Sequence, residues 1–217
     1  MTTKPQHSNS QLNAVGKRPV RHDGYDKVTG KALYGADMNL PGMQYGVVLR
    51  SPHSHARIIS IDITKAENHP DVNAIITNAD FPQHQNESST PIPGPALNAK
   101  EQTENILASE KVLYKGHPIA AVAAATIHAA EEALSLIDVQ YEVLGSVSTV
   151  EQAIATGAPE LHTQYKGNVA SHSQLEIGNV EKGFETAEHI VEKEFRTSTV
   201  HQGYIEPHSA TGWWTAN

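Results

Sequence analysis

Three stretches of this sequence carry side chains able to do chemistry. The first is Arg50-Ser-Pro-His-Ser-His-Ala-Arg57. In an extended segment His53 and His55 face the same side, and paired imidazoles begin a zinc or copper site once a third ligand joins them. Nothing at a recognisable spacing supplies that ligand. The competing reading is a strand-to-strand turn whose His and Arg side chains satisfy backbone carbonyls. The second stretch is His201-Gln-Gly-Tyr-Ile-Glu-Pro-His208. It reads either as a strand end facing a substrate or cofactor pocket, with Gln202 and Glu206 as hydrogen-bonding groups, or as a bend that Glu206 orients before Pro207. The third stretch holds Gly24, Gly30 and Gly35. It matches no dinucleotide fingerprint, so its glycines are expected to supply positive φ in tight turns. No nucleophile elbow, zinc-protease, P-loop or calcium-loop pattern occurs, and the sequence nominates neither a catalytic residue nor a metal site.

These stretches hang on an α+β pattern. Tyr45–Leu49, Arg57–Ile63 and Val72–Thr77 read as strands, and in the second of these Ile59, Ile61 and Ile63 alternate with Ser60 and Asp62. Thr64 is expected to cap a short helix that ends before Pro70. Residues 82–104, rich in proline, read as one long loop, either functional or lying against a partner, or simply mobile. A β-α-β unit follows. Pro118–Ala125 is a small apolar strand covered on both faces, and Thr126 caps a helix with Ile127, Ala130, Leu134 and Ile137 as its apolar stripe. Glu131 and Glu132 face solvent, and Asp138–Leu144 is the return strand. Val150–Ala155 forms a helical turn or two, and Asn179 caps a second short helix over 180–187. Residues 189–200 alternate like a strand, and 209–216 read as a further strand cut off midway.

Composition narrows the function. Sixteen Lys and Arg against 24 Asp and Glu give a net charge of −8, which argues against nucleic-acid binding. No apolar run reaches the roughly 20 residues that span a bilayer. The N-terminal residues lack the apolar core of a secretory signal, so the expected location is cytoplasmic. The absence of cysteine excludes disulfides, thiolate catalysis and cysteine-bound metal within these 217 residues. Protonating the 13 histidines would outweigh the negative net charge, so solubility and partner choice can respond to mildly acid pH.

An ordered series of short motifs carries a family resemblance. It begins with Val15-Gly16, Arg21-His-Asp23, Lys27-Val-Thr-Gly-Lys-Ala-Leu-Tyr34, Asp37-Met38 and Leu40-Pro-Gly-Met43. It continues through Leu49-Arg-Ser-Pro-His-Ser-His-Ala-Arg-Ile58, Tyr114-Lys-Gly-His-Pro118, Ala130-Glu-Glu-Ala-Leu134 and Tyr141-Glu-Val-Leu144. It closes with Gly178-Asn-Val-Glu-Lys-Gly-Phe184 and Glu206-Pro207. In this order the chain resembles the N-terminal part of the molybdenum-bearing large subunit of the xanthine dehydrogenase, aldehyde oxidase and aerobic carbon monoxide dehydrogenase family.

Residues 1–24 read as a polar tail, rich in Ser, Gln and Asn and without periodicity. The resemblance implies a hammerhead domain at 25–145 and the beginning of the molybdenum cofactor-binding domain at 146–217. It implies a molybdenum-pterin cofactor held only in a complete complex, with Gln202 and Glu206 as the residues approaching it. The partners it implies are the C-terminal remainder of the large subunit and separate flavin and iron–sulfur subunits. The expected function is a fragment or split subunit of a molybdenum hydroxylase, inactive alone. The alternative is a non-catalytic protein-binding module that keeps the hammerhead fold. Self-association through the C-terminal segment with Trp213 and Trp214 is a further expectation.

Overall fold

The structure is a computed structural model that describes residues 16–82 and 99–215. Of the polar tail expected at 1–24, residues 1–15 lie outside the described residues, as does the proline-rich stretch at 83–98; residues 16–22 are described outside any helix or strand, with α1 beginning at Gly24. The chain divides into two units, one of Met1–Pro41 with Glu194–Asn217, the other of Gly42–Lys193.

The larger unit is organised by the run of small apolar residues at Pro118–Ala124. This strand, β5, lies at the centre of a three-stranded antiparallel sheet, between β1 (Tyr45–Arg50) and β3 (Val72–Thr77). Ile119, Ala120, Val122 and Ala124 are all buried, as the apolar run requires. A second antiparallel sheet sets β2 (Ala56–Asp62) between the two-residue β4 (Lys111–Val112) and β6 (Asp138–Val143).

Helix α4 (Ile127–Ser135) connects β5 to β6, so the β-α-β order holds, although its two strands belong to different sheets. Thr126 Oγ1 accepts the Ala129 N–H at 3.1 Å, the expected cap. The buried face is made of Ala129, Ala130 and Ala133, with Ile137 just beyond the helix, while Ile127 is 55% exposed. Ile127 therefore leaves the expected stripe. Three alanines present a low ridge that packs close to the sheet, and the bulky residue of the first turn falls outside that contact. Together with Ala66, Ala120, Val122 and Ala124 they form one core cluster; Ala56, Ala108, Val112 and Ile119 form another.

Four further expectations change on folding. The alternation in β2 breaks at a register shift between Ile58 and Ser60, so Ile58 is half-buried and Ile59 is 59% exposed. A bulge inserts one residue and turns it to the other face. Helix α2 (Thr64–Glu67) has Ile63, not Thr64, at its N-cap and no side-chain cap; Asp62 Oδ1 accepts the Thr64 N–H at 3.0 Å in the turn that leads into it. Residues 99–104, expected in the loop, belong to α3 (Ala99–Ile106), a run of good helix formers with Lys100 and Glu104 at i,i+4. Residues 189–200 and 209–215 join no ladder among the described residues, and everything from 170 to 215 is exposed. A strand exists only against a partner strand, and alternation alone does not provide one.

Helices α5 (Val150–Ile154) and α6 (Val180–Thr186) stand where expected. Thr149 and Asn179 accept the Gln152 and Lys182 N–H groups at 3.2 and 2.8 Å.

In the smaller unit, α1 (Gly24–Val28) is preceded by Asp23, which pairs with Arg21 at 2.5 Å and Lys27 at 3.1 Å. Gly30 has φ 71° in the following turn, as expected of it. Gly35 serves differently: a Cβ there would run into Ser209 Oγ, so glycine is needed for close approach. Among the described residues no helix is long and apolar enough to cross a membrane.

Candidate functional site

The motifs at 50–57 and 114–118 interlock. The Ser51 N–H donates to His117 O at 2.9 Å, the Gly116 N–H returns to Ser51 O at 2.9 Å, and Arg50 Nη1 donates to Gly116 O at 3.0 Å. Gly116 makes the turn with φ 88°. The turn after β1 is thereby stitched to the turn before β5.

His53 and His55 do not converge. His55 is 4% exposed and its Nδ1 lies 2.6 Å from Gly145 O, while the Leu144 N–H donates to His55 O at 3.0 Å. Its Nε2 is buried without a hydrogen-bond partner among the described residues. His53 meets the Tyr141 ring edge-on, with centroids 4.9 Å apart. Among the described residues no three His, Cys, Asp or Glu side chains are grouped to hold a metal ion. The carbonyl-satisfying turn is the reading this geometry supports, with Arg50 and His55 making those bonds.

His117, which the sequence did not single out, is at 0% exposure the most enclosed polar side chain among the described residues of the larger unit. It accepts the Leu113 N–H at Nδ1 (3.1 Å), faces Glu104 O with Nε2 (2.9 Å) and stacks on Tyr114 at 4.4 Å. Burial pushes its pKa below the ordinary imidazole value, opposed in part by the Glu104 carbonyl and carboxylate. Its ring borders a polar cavity of about 310 Å³ between α3 and residues 161–164. The local signal is its position after Gly116 in a turn, which says nothing of burial.

Asn168 likewise gives no sign of its role in the sequence. It holds φ 58°, accepts the Leu161 N–H at 3.0 Å and donates to Ala153 O and Pro159 O at 2.9 and 3.0 Å. Beside it, the Gly167 N–H and Lys166 Nζ at Glu160 lower that carboxyl's pKa.

Gln202 and Glu206 lie on the exposed stretch 201–208, where Gly203 turns the chain with φ 70°. Tyr204 contacts the rings of His201 and His208 at 4.8 and 4.7 Å. Gln202 offers an amide that donates and accepts, and Glu206 a carboxylate that accepts, a set suited to the polar edge of a heteroaromatic group.

Two antiparallel sheets joined through one helix, with the interlocked 50–57 and 114–118 turns, define a recognisable class. The family model "Aldehyde oxidase and xanthine dehydrogenase, a/b hammerhead domain" matches residues 29–145, and "Molybdopterin cofactor-binding domain" matches 161–217. The chain belongs to the aldehyde oxidase and xanthine dehydrogenase family. It is 37% identical over 187 residues to a subunit of the probable xanthine dehydrogenase of Bacillus subtilis, covering 86% of this chain and 24% of that protein. It is 32% identical over 200 residues to the nicotinate dehydrogenase large molybdopterin subunit of Eubacterium barkeri, covering 92% of this chain and 44% of that one.

Among solved structures, quinoline 2-oxidoreductase from Pseudomonas putida 86 aligns with TM-score 0.60 and 31% identity, over 72% of this chain and 20% of its own. Carbon monoxide dehydrogenase from Oligotropha carboxidovorans aligns with TM-score 0.56 and 34% identity, over 66% and 17%. The chain thus spans a quarter to under half of the length of the two named relatives from Bacillus subtilis and Eubacterium barkeri.

Proposed function

We propose that this chain is the scaffold portion of a molybdenum hydroxylase large subunit. In this reading the hammerhead domain occupies 25–145, and 146–217 begins the domain that encloses the molybdenum-pterin group. The observation carrying it is that two family models follow one another, at 29–145 and 161–217, in the order such a subunit needs.

Gln202 and Glu206 are the residues proposed to reach the cofactor, hydrogen bonding its pterin through the Gln202 amide and Glu206 carboxylate. The bound group supplies the redox chemistry of hydroxylation at an electron-poor carbon, with oxygen from water. The chain's own residues bind, orient and shield it. The exposure of residues 170–215 supports a role completed by other polypeptide, because apolar side chains such as Phe184, Val191, Ile205 and Trp214 are exposed.

The partners proposed are the remainder of the large subunit, a flavin subunit and an iron–sulfur subunit, all in the cytoplasm. Co-expression of the chain with those three, against each omission, tests this. Hydroxylase turnover of a nitrogen heteroaromatic is expected only when the large-subunit remainder is present. Turnover by the chain alone would refute the reading. In the assembled complex Gln202→Ala and Glu206→Ala should each weaken pterin retention.

A further inference from the structure

His117 stands where α3, β4 and the turn into β5 meet, and its surroundings fix one protonation state. A main-chain carbonyl only accepts, so Nε2 facing Glu104 O must carry the proton. A main-chain N–H only donates, so Nδ1 facing Leu113 must be bare. The ring is therefore held neutral by two partners that suit no other form, with Tyr114 flat against it.

We propose that His117 is an acid-sensitive latch on α3. A proton added to Nδ1 confronts the Leu113 N–H, breaks that bond and draws the ring away from Glu104 O. The last turn of α3 then loses its tie to the turn before β5, and the polar cavity that α3 walls opens.

The charged and titratable side chains around the ring do not replace this role. Lys100, Glu101 and Glu104 come from α3, Glu110 and Lys111 from the β4 side, and His162 from the facing loop. The Glu104 carboxylate accepts from Ser109 Oγ at 3.1 Å and lies 3.8 Å from Lys100 Nζ; Lys111 Nζ donates to Leu161 O at 2.9 Å. Arg50 is spent on Gly116 O, beneath the ring's own backbone.

The direction of the pKa shift agrees with the geometry, since burial favours the neutral ring. The opened chain takes up a proton first as pH falls through about 6.5, the unperturbed imidazole value. The latch is thus closed above that pH and weakens below it.

Amide hydrogen exchange of the full chain between pH 7.5 and pH 5, corrected for intrinsic exchange rates, reads the latch. The opening equilibrium at residues 103–107 is expected to rise up to tenfold per pH unit below about 6.5. In His117→Gln, whose amide keeps one acceptor and one donor but does not titrate, the rise should vanish, whatever the neighbouring carboxylates do. Identical pH profiles for the two proteins would overturn the proposal. Should the variant fail to fold, a ¹⁵N titration of the His117 ring in the unaltered chain decides instead. Charging of the ring with 103–107 still protected would equally overturn it.

Discussion

The imidazole of His55 reaches across ninety positions of sequence to the carbonyl of Gly145, at 2.6 Å. One residue of the 50–57 motif thereby ties the start of β2 to the chain just past β6, at the end of the hammerhead match. The Leu144 N–H closes the same join from the other side, onto His55 O. The motif histidine that looked like half of a metal site is the fastening of a sheet.

That fastening has a measurable weight. His55→Ala removes a buried ring and leaves Gly145 O without its donor, so the larger unit should lose about 2–4 kcal/mol. His53→Ala, with its half-buried ring against Tyr141, should lose about 1 kcal/mol or less. Urea denaturation at constant slope measures both, and equal losses would contradict the assignment.

The bulge in β2 sorts neighbouring isoleucines. Ile59→Thr should be near neutral because the side chain already meets water. Ile61→Ala, which takes a side chain away from both core clusters, should cost about 1–3 kcal/mol. Thermal unfolding of the pair distinguishes the bulged register from the unbroken alternation, in which Ile59 and Ile61 would behave alike.

Asn168 combines a left-handed backbone with three side-chain hydrogen bonds. Asn168→Gly keeps the backbone conformation and loses the bonds; Asn168→Ala loses both. We expect Asn168→Ala to be the more destabilised by about 1 kcal/mol, with faster exchange of the Leu161 amide in both variants. The reverse order would mean that the backbone conformation is not what matters there.

Trp213 and Trp214 are 72% and 93% exposed. Replacing both with serine should lower any concentration-dependent self-association of the chain without shifting its unfolding midpoint, as light scattering and calorimetry would record. Unchanged association would place the contact elsewhere.

How much of this could be read in the sequence follows from how local each cause is. The small apolar run of β5, the Thr126 and Asn179 caps and the β-branched Val72–Thr77 are set by neighbours a few residues away, and they appear as expected. The bulge at Ile59 is not, because it depends on how β6 pairs with β2. Helix α3 was hidden by the prolines before it, although its own residues favour helix. His53 and His55 shared a face only in an ideal strand; the turn that holds them sends one ring to Tyr141 and the other to Gly145. The burial of His117 is decided by α3 and β4, which no local pattern brings together. Residues 189–200 have the alternation of a strand, but a strand's second requirement is another chain segment.

Whether this polypeptide walls a reaction centre that other segments complete is decided by its molybdenum content. Metal analysis and pterin fluorescence of the purified 217-residue chain, alone and after assembly with the rest of the large subunit, give molybdenum per chain in each state. Close to none is expected for the chain alone and close to one in the assembly. A full equivalent of molybdenum and pterin bound by the chain alone would contradict it.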